Sequence, residues 1–327
     1  MVELTINVPE SLYANEQVLK AWKSINIVHN MYFDRSVPKQ GFLLHGDSGM
    51  GKTFILKEYC GQVPSLFTGE TNTIPILYLA INRATKSIDE IPQLLINALG
   101  APIPIKKPTS ICLERQLVHM LEEKRVELIM LDEIQNLNTS YDGLEFQKVI
   151  KYLCSLIDRD DIKCSIVFAG SDYAKRIMSF GSTSKKLPDG EHLSRRLLRP
   201  IHLTPIKPKS REWVNCINWF IQKIALAPVD HFKNKDFFDR LYIAYHDRAM
   251  SSVRDLFLRS NSRQAKTLDE LKDCLFYNFE VYAKQTLNPF CEEDFTDDLV
   301  IEITTNILTS MHQMTAKKRN QAISAYI

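Results

Sequence analysis

Residues 41 to 53 read Gly-Phe-Leu-Leu-His-Gly-Asp-Ser-Gly-Met-Gly-Lys-Thr. The eight from Gly46 to Thr53 fit the phosphate-loop pattern G-x-x-x-x-G-K-[ST] without a mismatch. Gly46, Gly49 and Gly51, with Asp47, Ser48 and Met50 between them, let the backbone turn tightly enough for successive N–H groups to face a phosphate. A helix starting here adds its positive N-terminal end. Lys52 would reach the β- and γ-phosphates, the Thr53 hydroxyl would ligate Mg²⁺, and Phe54 follows inside the helix. A glycine-rich turn with a chance lysine is the bland alternative. The apolar strand before the loop and the helix after it argue for a nucleotide site.

About eighty residues on, Glu127-Leu-Ile-Met-Leu131-Asp132-Glu133 is an apolar strand closing in two carboxylates, the Walker B arrangement. Asp132 would hold the hydration shell of Mg²⁺, and Glu133 would polarise the water that attacks the γ-phosphate. Acidic residues often close strands, so it is the distance from the phosphate loop, with a strand and two helices between, that gives the pair weight. Beyond a strand at Cys164–Ala169, Ser171 either senses the γ-phosphate or caps a short helix at Tyr173–Met178. In His192-Leu-Ser-Arg195-Arg196-Leu-Leu-Arg199-Pro200, Arg195 or Arg196 can serve as a finger into a neighbouring subunit's site. The alternative is a pair of solvated arginines. Arg254, in the first turn of a C-terminal helix, either points back at the nucleotide or is an exposed helix arginine.

The elements that must position these residues follow from periodicity. Helical spacing covers residues 10–35, with Pro38 breaking it, then Thr53–Tyr59, Ile88–Leu99, Ser110–Lys124 and Phe146–Ile157. Buried strands are expected at Phe42–Leu44, Ile74–Ile81, Glu127–Leu131, Cys164–Ala169 and Ile201–Pro205. After Pro208 the alternation stops, and only helices remain, at about 210–227, 235–247, 251–260, 265–285 and 298–314. The fold class is therefore α/β, a parallel sheet flanked by helices, followed by an all-helical domain. The expected divisions are 1–206, 207–314 and a basic tail 315–327 containing Lys317-Lys318-Arg319. Trp213, Ile217, Phe220, Ile221 and Ile224 read as the core of the helical domain.

With 327 residues, 45% of them apolar and 24% charged, the chain can bury a sizeable core. The formal charge of +2 excludes neither nucleic acid nor an acidic partner. The seven cysteines, at 60, 112, 154, 164, 216, 274 and 291, form no C-x-x-C pair and suggest small core residues rather than zinc ligands or disulfides. No signal peptide or apolar run of spanning length is present in the sequence, which leads to the expectation of a cytoplasmic protein.

Gly46-Asp-Ser-Gly-Met-Gly-Lys-Thr, Leu131-Asp-Glu-Ile-Gln135-Asn-Leu, Phe168-Ala-Gly-Ser-Asp and Leu193-Ser-Arg-Arg-Leu together resemble the AAA+ ATPases. Within that superfamily, over residues 10 to about 310, they resemble the TniB/TnsC group of transposition regulators. The resemblance implies a P-loop core with a C-terminal helical lid, and ATP with Mg²⁺ bound at a subunit interface. It further implies a self-assembled ring or filament around double-stranded DNA, recruitment of transposase subunits, a TniQ-like target selector on the other face, and disassembly on hydrolysis. Loops facing the ring interior would then carry the DNA contacts, first Arg83, Thr85 and Lys86, then Lys185 and Lys186, as phosphate contacts without base reading. A helicase loader or replication initiator, a small-molecule phosphotransferase and a non-hydrolysing ATP switch remain open at this point.

Overall fold

The computed structural model describes residues 5–34, 36–68, 71–82, 90–101, 109–137, 143–179, 193–207, 209–224, 235–245, 267–282, 288–291, 296, 298–307 and 309. Arg83, Thr85, Lys86, Lys185, Lys186 and Arg254 lie outside the described residues, as do the helix expected at 251–260 and the tail 315–327. The chain divides into two compact units, Met1–Thr204 and Pro205–Ile327.

The first unit runs α1 (Glu16–Asn30), β1 (Phe42–Gly46), α2 (Lys52–Gln62), β2 (Leu66–Thr68), β3 (Thr71–Thr73), β4 (Ile76–Ala80), α3 (Glu90–Ala98), α4 (Ser110–Glu123), β5 (Leu128–Asp132), α5 (Gly143–Asp158) and β6 (Ser165–Gly170). A 3₁₀ turn (Asp172–Lys175), α6 (Arg176–Ser179), a second 3₁₀ turn (Leu193–Arg196) and β7 (Ile201–Leu203) complete it. Five strands form one parallel sheet in the order β4-β5-β6-β1-β7. Because side chains alternate across a strand, β1, β4, β5 and β6 each feed two cores. Leu43, Ile129, Leu131, Ile166 and Phe168 meet Ile91, Leu95, Leu113, Leu117 and Leu153 of α3, α4 and α5 on one face. Phe42, Leu44, Leu128, Met130 and Val167 meet Trp22, Ile25, Ile55 and Tyr59 of α1 and α2 on the other. Both faces are covered, which is why these strands read as unbroken apolar runs.

In a parallel sheet the strand ends that follow the chain direction all lie along one edge, where ligands bind in open α/β folds. β1 reaches that edge at the phosphate loop, β5 at Asp132 and Glu133, and β6 lies between them.

Helix α1 is shorter than the expected 10–35. Asn15 caps its start by accepting from the Val18 N–H at 2.8 Å. After Asn30 the backbone tightens, with Tyr32 N–H donating to His29 O at 3.1 Å and Phe33 N–H to Asn30 O at 3.0 Å, so the helix ends well before Pro38. The antiparallel pair β2–β3 was not expected, and its Leu66 and Phe67 are exposed. Cys112 is likewise exposed on α4, against the expectation of a core residue. Cys154, Cys164 and Cys216 are buried and fit that expectation, and burial pushes the Cys164 and Cys216 thiols up to about 12.

The second unit holds α7 (Arg211–Ile224), α8 (Lys235–Tyr245), α9 (Leu268–Tyr282) and helical residues 298–307, with no strand among its described residues. Trp213, Ile217, Phe220 and Ile221 are buried with Phe237, Leu241, Leu271 and Leu275. Arg240 is buried too, and its charge is met by Asp236 Oδ1 at 2.8 Å and the Pro289 carbonyl at 2.9 Å.

Trp22 is 2% exposed, packs edge-on against Tyr59 with centroids 5.0 Å apart, and donates its indole N–H to Ile6 O at 2.7 Å. Trp22→Ala is expected to cost about 3–5 kcal/mol, read as a lowered midpoint in urea unfolding.

Candidate nucleotide site

Gly51 is the N-cap of α2 and takes a left-handed backbone, φ 85°, that a side chain would oppose. No side chain caps the helix, so its N-terminal dipole is left for a ligand. Lys52 is 6% exposed and folds back to donate from Nζ to the carbonyls of Gly46 at 2.8 Å and Asp47 at 2.7 Å. Burial pushes its pKa down, and the negative charges of Glu133, Asp132 and Asp47 oppose that shift. The ammonium is thus held inside the loop by acceptors that a phosphate oxygen can replace.

Asp132 ends β5 and is fully buried. Its Oδ2 accepts from the Thr53 hydroxyl at 2.6 Å and the Tyr78 hydroxyl at 2.9 Å, while Oδ1 accepts from the Glu133 N–H at 2.8 Å. Three donors make the buried carboxylate tolerable. Thr53 and Asp132 are the two residues expected at Mg²⁺, and their direct contact lets one cation be shared between them. Tyr78 was not singled out from the sequence. It sits on β4, whose Ala80 pairs with Asp132, and burial beside that carboxylate pushes its pKa up.

Past Asp132 the chain makes an uncommon turn. Glu133 has φ 56°, in the left-handed region that a residue with a side chain enters at a cost of about 1 kcal/mol. The turn is stitched to both neighbouring strands, with Ile134 N–H donating to Ala169 O at 3.0 Å and the Asn136 amide to Ile81 O at 2.7 Å. Gln135 joins the parts. Its amide nitrogen donates to the Glu133 carboxylate, and its Oε1 accepts from the Ser171 N–H at 2.9 Å. Gly170 makes room for this bridge, because a Cβ there would collide with Gln135 Oε1.

Ser171 stands at the N-cap of the 3₁₀ turn but makes no capping hydrogen bond, and its buried hydroxyl has no partner among the described residues. The capping alternative therefore fails. A buried hydroxyl left unsatisfied is what a γ-phosphate contact would complete. Together with the uncapped helix and the Thr53–Asp132 pair, it makes the donor set fit a nucleoside triphosphate with Mg²⁺.

Arg195 and Arg196 are not brought to this edge. Gly41 N–H donates to Arg196 O at 2.8 Å, which sets the pair at the start of β1. The five residues of β1, about 16 Å of strand, separate them from the phosphate loop that follows Gly46. Arg196 is spent on Asp158, with Nε 2.7 Å from both carboxylate oxygens. Arg195 is exposed and has no ion pair among the described residues.

A family model described as the bacterial TniB protein matches residues 18–184, just over half the chain and most of the sheet-bearing unit. The chain belongs to the TniB family. Its fold is that of the AAA+ ATPases. The Aeropyrum pernix ORC2 protein, solved as ADPNP–ADP complexes, aligns at TM-score 0.54 and 16% identity over 89% of this chain and 68% of its own. Cdc6p from Pyrobaculum aerophilum aligns at TM-score 0.51 and 12% identity over 82% of this chain and 70% of its own. At such identities the likeness concerns architecture alone. No curated protein sequence resembles this TniB-family chain at a significant level. No helix among the described residues is long and apolar enough to cross a membrane.

Gly170→Ala is expected to destabilise the protein by about 1–3 kcal/mol, measured by urea unfolding. Gln135→Ala in the same chain should recover part of that loss, since it removes the colliding amide, and the double-mutant cycle reports the coupling.

Proposed function

We propose that this TniB-family protein is an ATP-hydrolysing regulator of DNA transposition. The observation that carries the reading is the convergence of Lys52, Thr53, Asp132 and Glu133 on one edge of the sheet, in a chain whose residues 18–184 match the TniB model. Lys52 would exchange its loop carbonyls for the β- and γ-phosphates, and Thr53 with Asp132 would hold Mg²⁺. When bound, the ion neutralises charge on the phosphates. Glu133 orients a water for attack on the γ-phosphorus and takes its proton, giving ADP and phosphate. Gln135 is a positioning residue that links the Glu133 carboxylate to the backbone at Ser171, the γ-phosphate sensor.

Arg195 is the better choice for the finger, because Arg196 is held by Asp158 and neither lies near its own chain's loop. A finger that cannot reach its own site requires a neighbour, which supports assembly into a ring or filament. Duplex DNA would lie along Arg83, Thr85 and Lys86, then Lys185 and Lys186. The helical unit serves as a lid with Arg254, and a transposase and a TniQ-like selector engage the assembly. The divisions 1–206, 207–314 and 315–327 and a cytoplasmic setting belong to the same reading. A helicase loader or replication initiator keeps the ATP residues and accords with the ORC2 and Cdc6p folds, but the TniB match favours transposition.

Electron microscopy of the protein with duplex DNA tests this reading. Rings or filaments should require ATP, persist with Glu133→Gln and vanish with Lys52→Ala. Glu133→Gln is expected to lower DNA-stimulated phosphate release about 100-fold or more. Arg195→Ala should lower it about 1,000-fold, whereas Arg196→Ala acts mainly on stability. A protein that stays monomeric and off DNA under every condition overturns the reading.

A further inference from the structure

Strands β6, β1 and β7 end side by side, and each carries or leads into a group able to bind a metal. His45 stands directly before Gly46 on β1, Asp172 follows the end of β6 by two residues, and His202 is the middle residue of β7. The parallel register pairs His45 with both Gly170 and His202. Residues in register on neighbouring strands project from the same face, so the two imidazoles stand together. The carboxylate reaches them from the turn beyond the third strand.

The donor atoms already converge. Asp172 Oδ1 lies 3.1 Å from His45 Nδ1 and 3.1 Å from His202 Nε2. The rings stack with centroids 4.7 Å apart at 18°, and one ligand atom from each residue falls within 4.8 Å of the other two. Donors about 2.0–2.1 Å from a tetrahedral zinc ion stand roughly 3.3 Å from one another. Two of the three separations are near that value. The third needs at most about 1.5 Å of closure, which a turn of the His202 side chain, 41% exposed on the edge strand, can supply. His45 is 3% exposed and forms a fixed floor, while the exposure of the other two leaves room for a water as fourth ligand. Lys175 Nζ, 3.6 Å from Asp172 Oδ2, engages the other carboxylate oxygen and leaves Oδ1 turned to the imidazoles.

We propose that His45, Asp172 and His202 form a site for one divalent transition-metal ion of the zinc class. Two imidazoles and a carboxylate suit Zn²⁺ or Co²⁺, whereas Mg²⁺ favours oxygen ligands alone. The site is therefore chemically separate from the Thr53–Asp132 pair, and it does not depend on the protein being an ATPase. An ion there ties the ends of three strands together immediately ahead of Gly46, at the root of the phosphate loop.

The test is a titration of the metal-free, nucleotide-free full chain with Co²⁺, followed by absorption spectroscopy. One equivalent should bind with the d–d bands of a four-coordinate nitrogen and oxygen site. There should be no thiolate charge-transfer band, which excludes the cysteines. Zn²⁺ should then bleach the bands and raise Tm. His202→Ala and Asp172→Asn, both at partly exposed positions, should each weaken Co²⁺ binding about 100-fold or more, at least the cost of losing a supporting partner. His202→Gln, which keeps a polar side chain on β7, should give the same loss if alanine disturbs folding. Weak octahedral Co²⁺ spectra, or one equivalent bound equally well by these variants, overturn the proposal and leave the trio as a hydrogen-bonded ion network.

Discussion

The buried carboxylate of Asp132 is the constraint around which the first unit is arranged. An ionised group without solvent must be met by donors, and here each donor comes from a different part of the chain: Thr53 from α2, Tyr78 from β4 and the Glu133 N–H from the turn that follows. Satisfying one charge therefore fixes the first turn of the phosphate-loop helix against the middle of the sheet. The loop inherits its position from that contact, and Lys52 is then held over the loop's own carbonyls.

The second dependence runs through the strand between the two motifs. β6 pairs with both β5 and β1, and its last residues also hold the turn that follows β5. Ala169 O accepts from Ile134, Gly170 gives way to the Gln135 amide, and Ser171 N–H donates to it. A displacement at Ser171 is thus transmitted to the Glu133 carboxylate through a single side chain. At the opposite edge, the start of β1 is tied to the arginine-bearing turn by Gly41. A push on that turn bears on the same strand that carries the phosphate loop.

Much of this was readable from residue types. β1, β5 and β6 are apolar runs because the sheet is covered on both faces, and the phosphate loop and the Asp-Glu pair announce themselves by spacing. What escaped depends on pairing between distant segments. Tyr78 meets Asp132 through the register of β4 on β5, which no local pattern encodes. Gln135 looks like one more polar turn residue until Gly170 and Ser171 are beside it. His45 and His202 are more than 150 residues apart and become neighbours only through the β1–β7 pairing. The β2–β3 hairpin went unseen because its arms are three residues long and lack alternation. Helix α1 was drawn too long because apolar spacing continues through Tyr32 after the hydrogen bonding has changed.

The left-handed backbone at Glu133 has a consequence for how this protein can change over time. A left-handed position is relieved by glycine and eased by asparagine, so random substitution followed by selection for thermostability alone would remove the carboxylate. Its retention would mark the residue as held by something other than folding. A survey of variants that keep the fold while losing glutamate here would show whether the carboxylate is dispensable to folding.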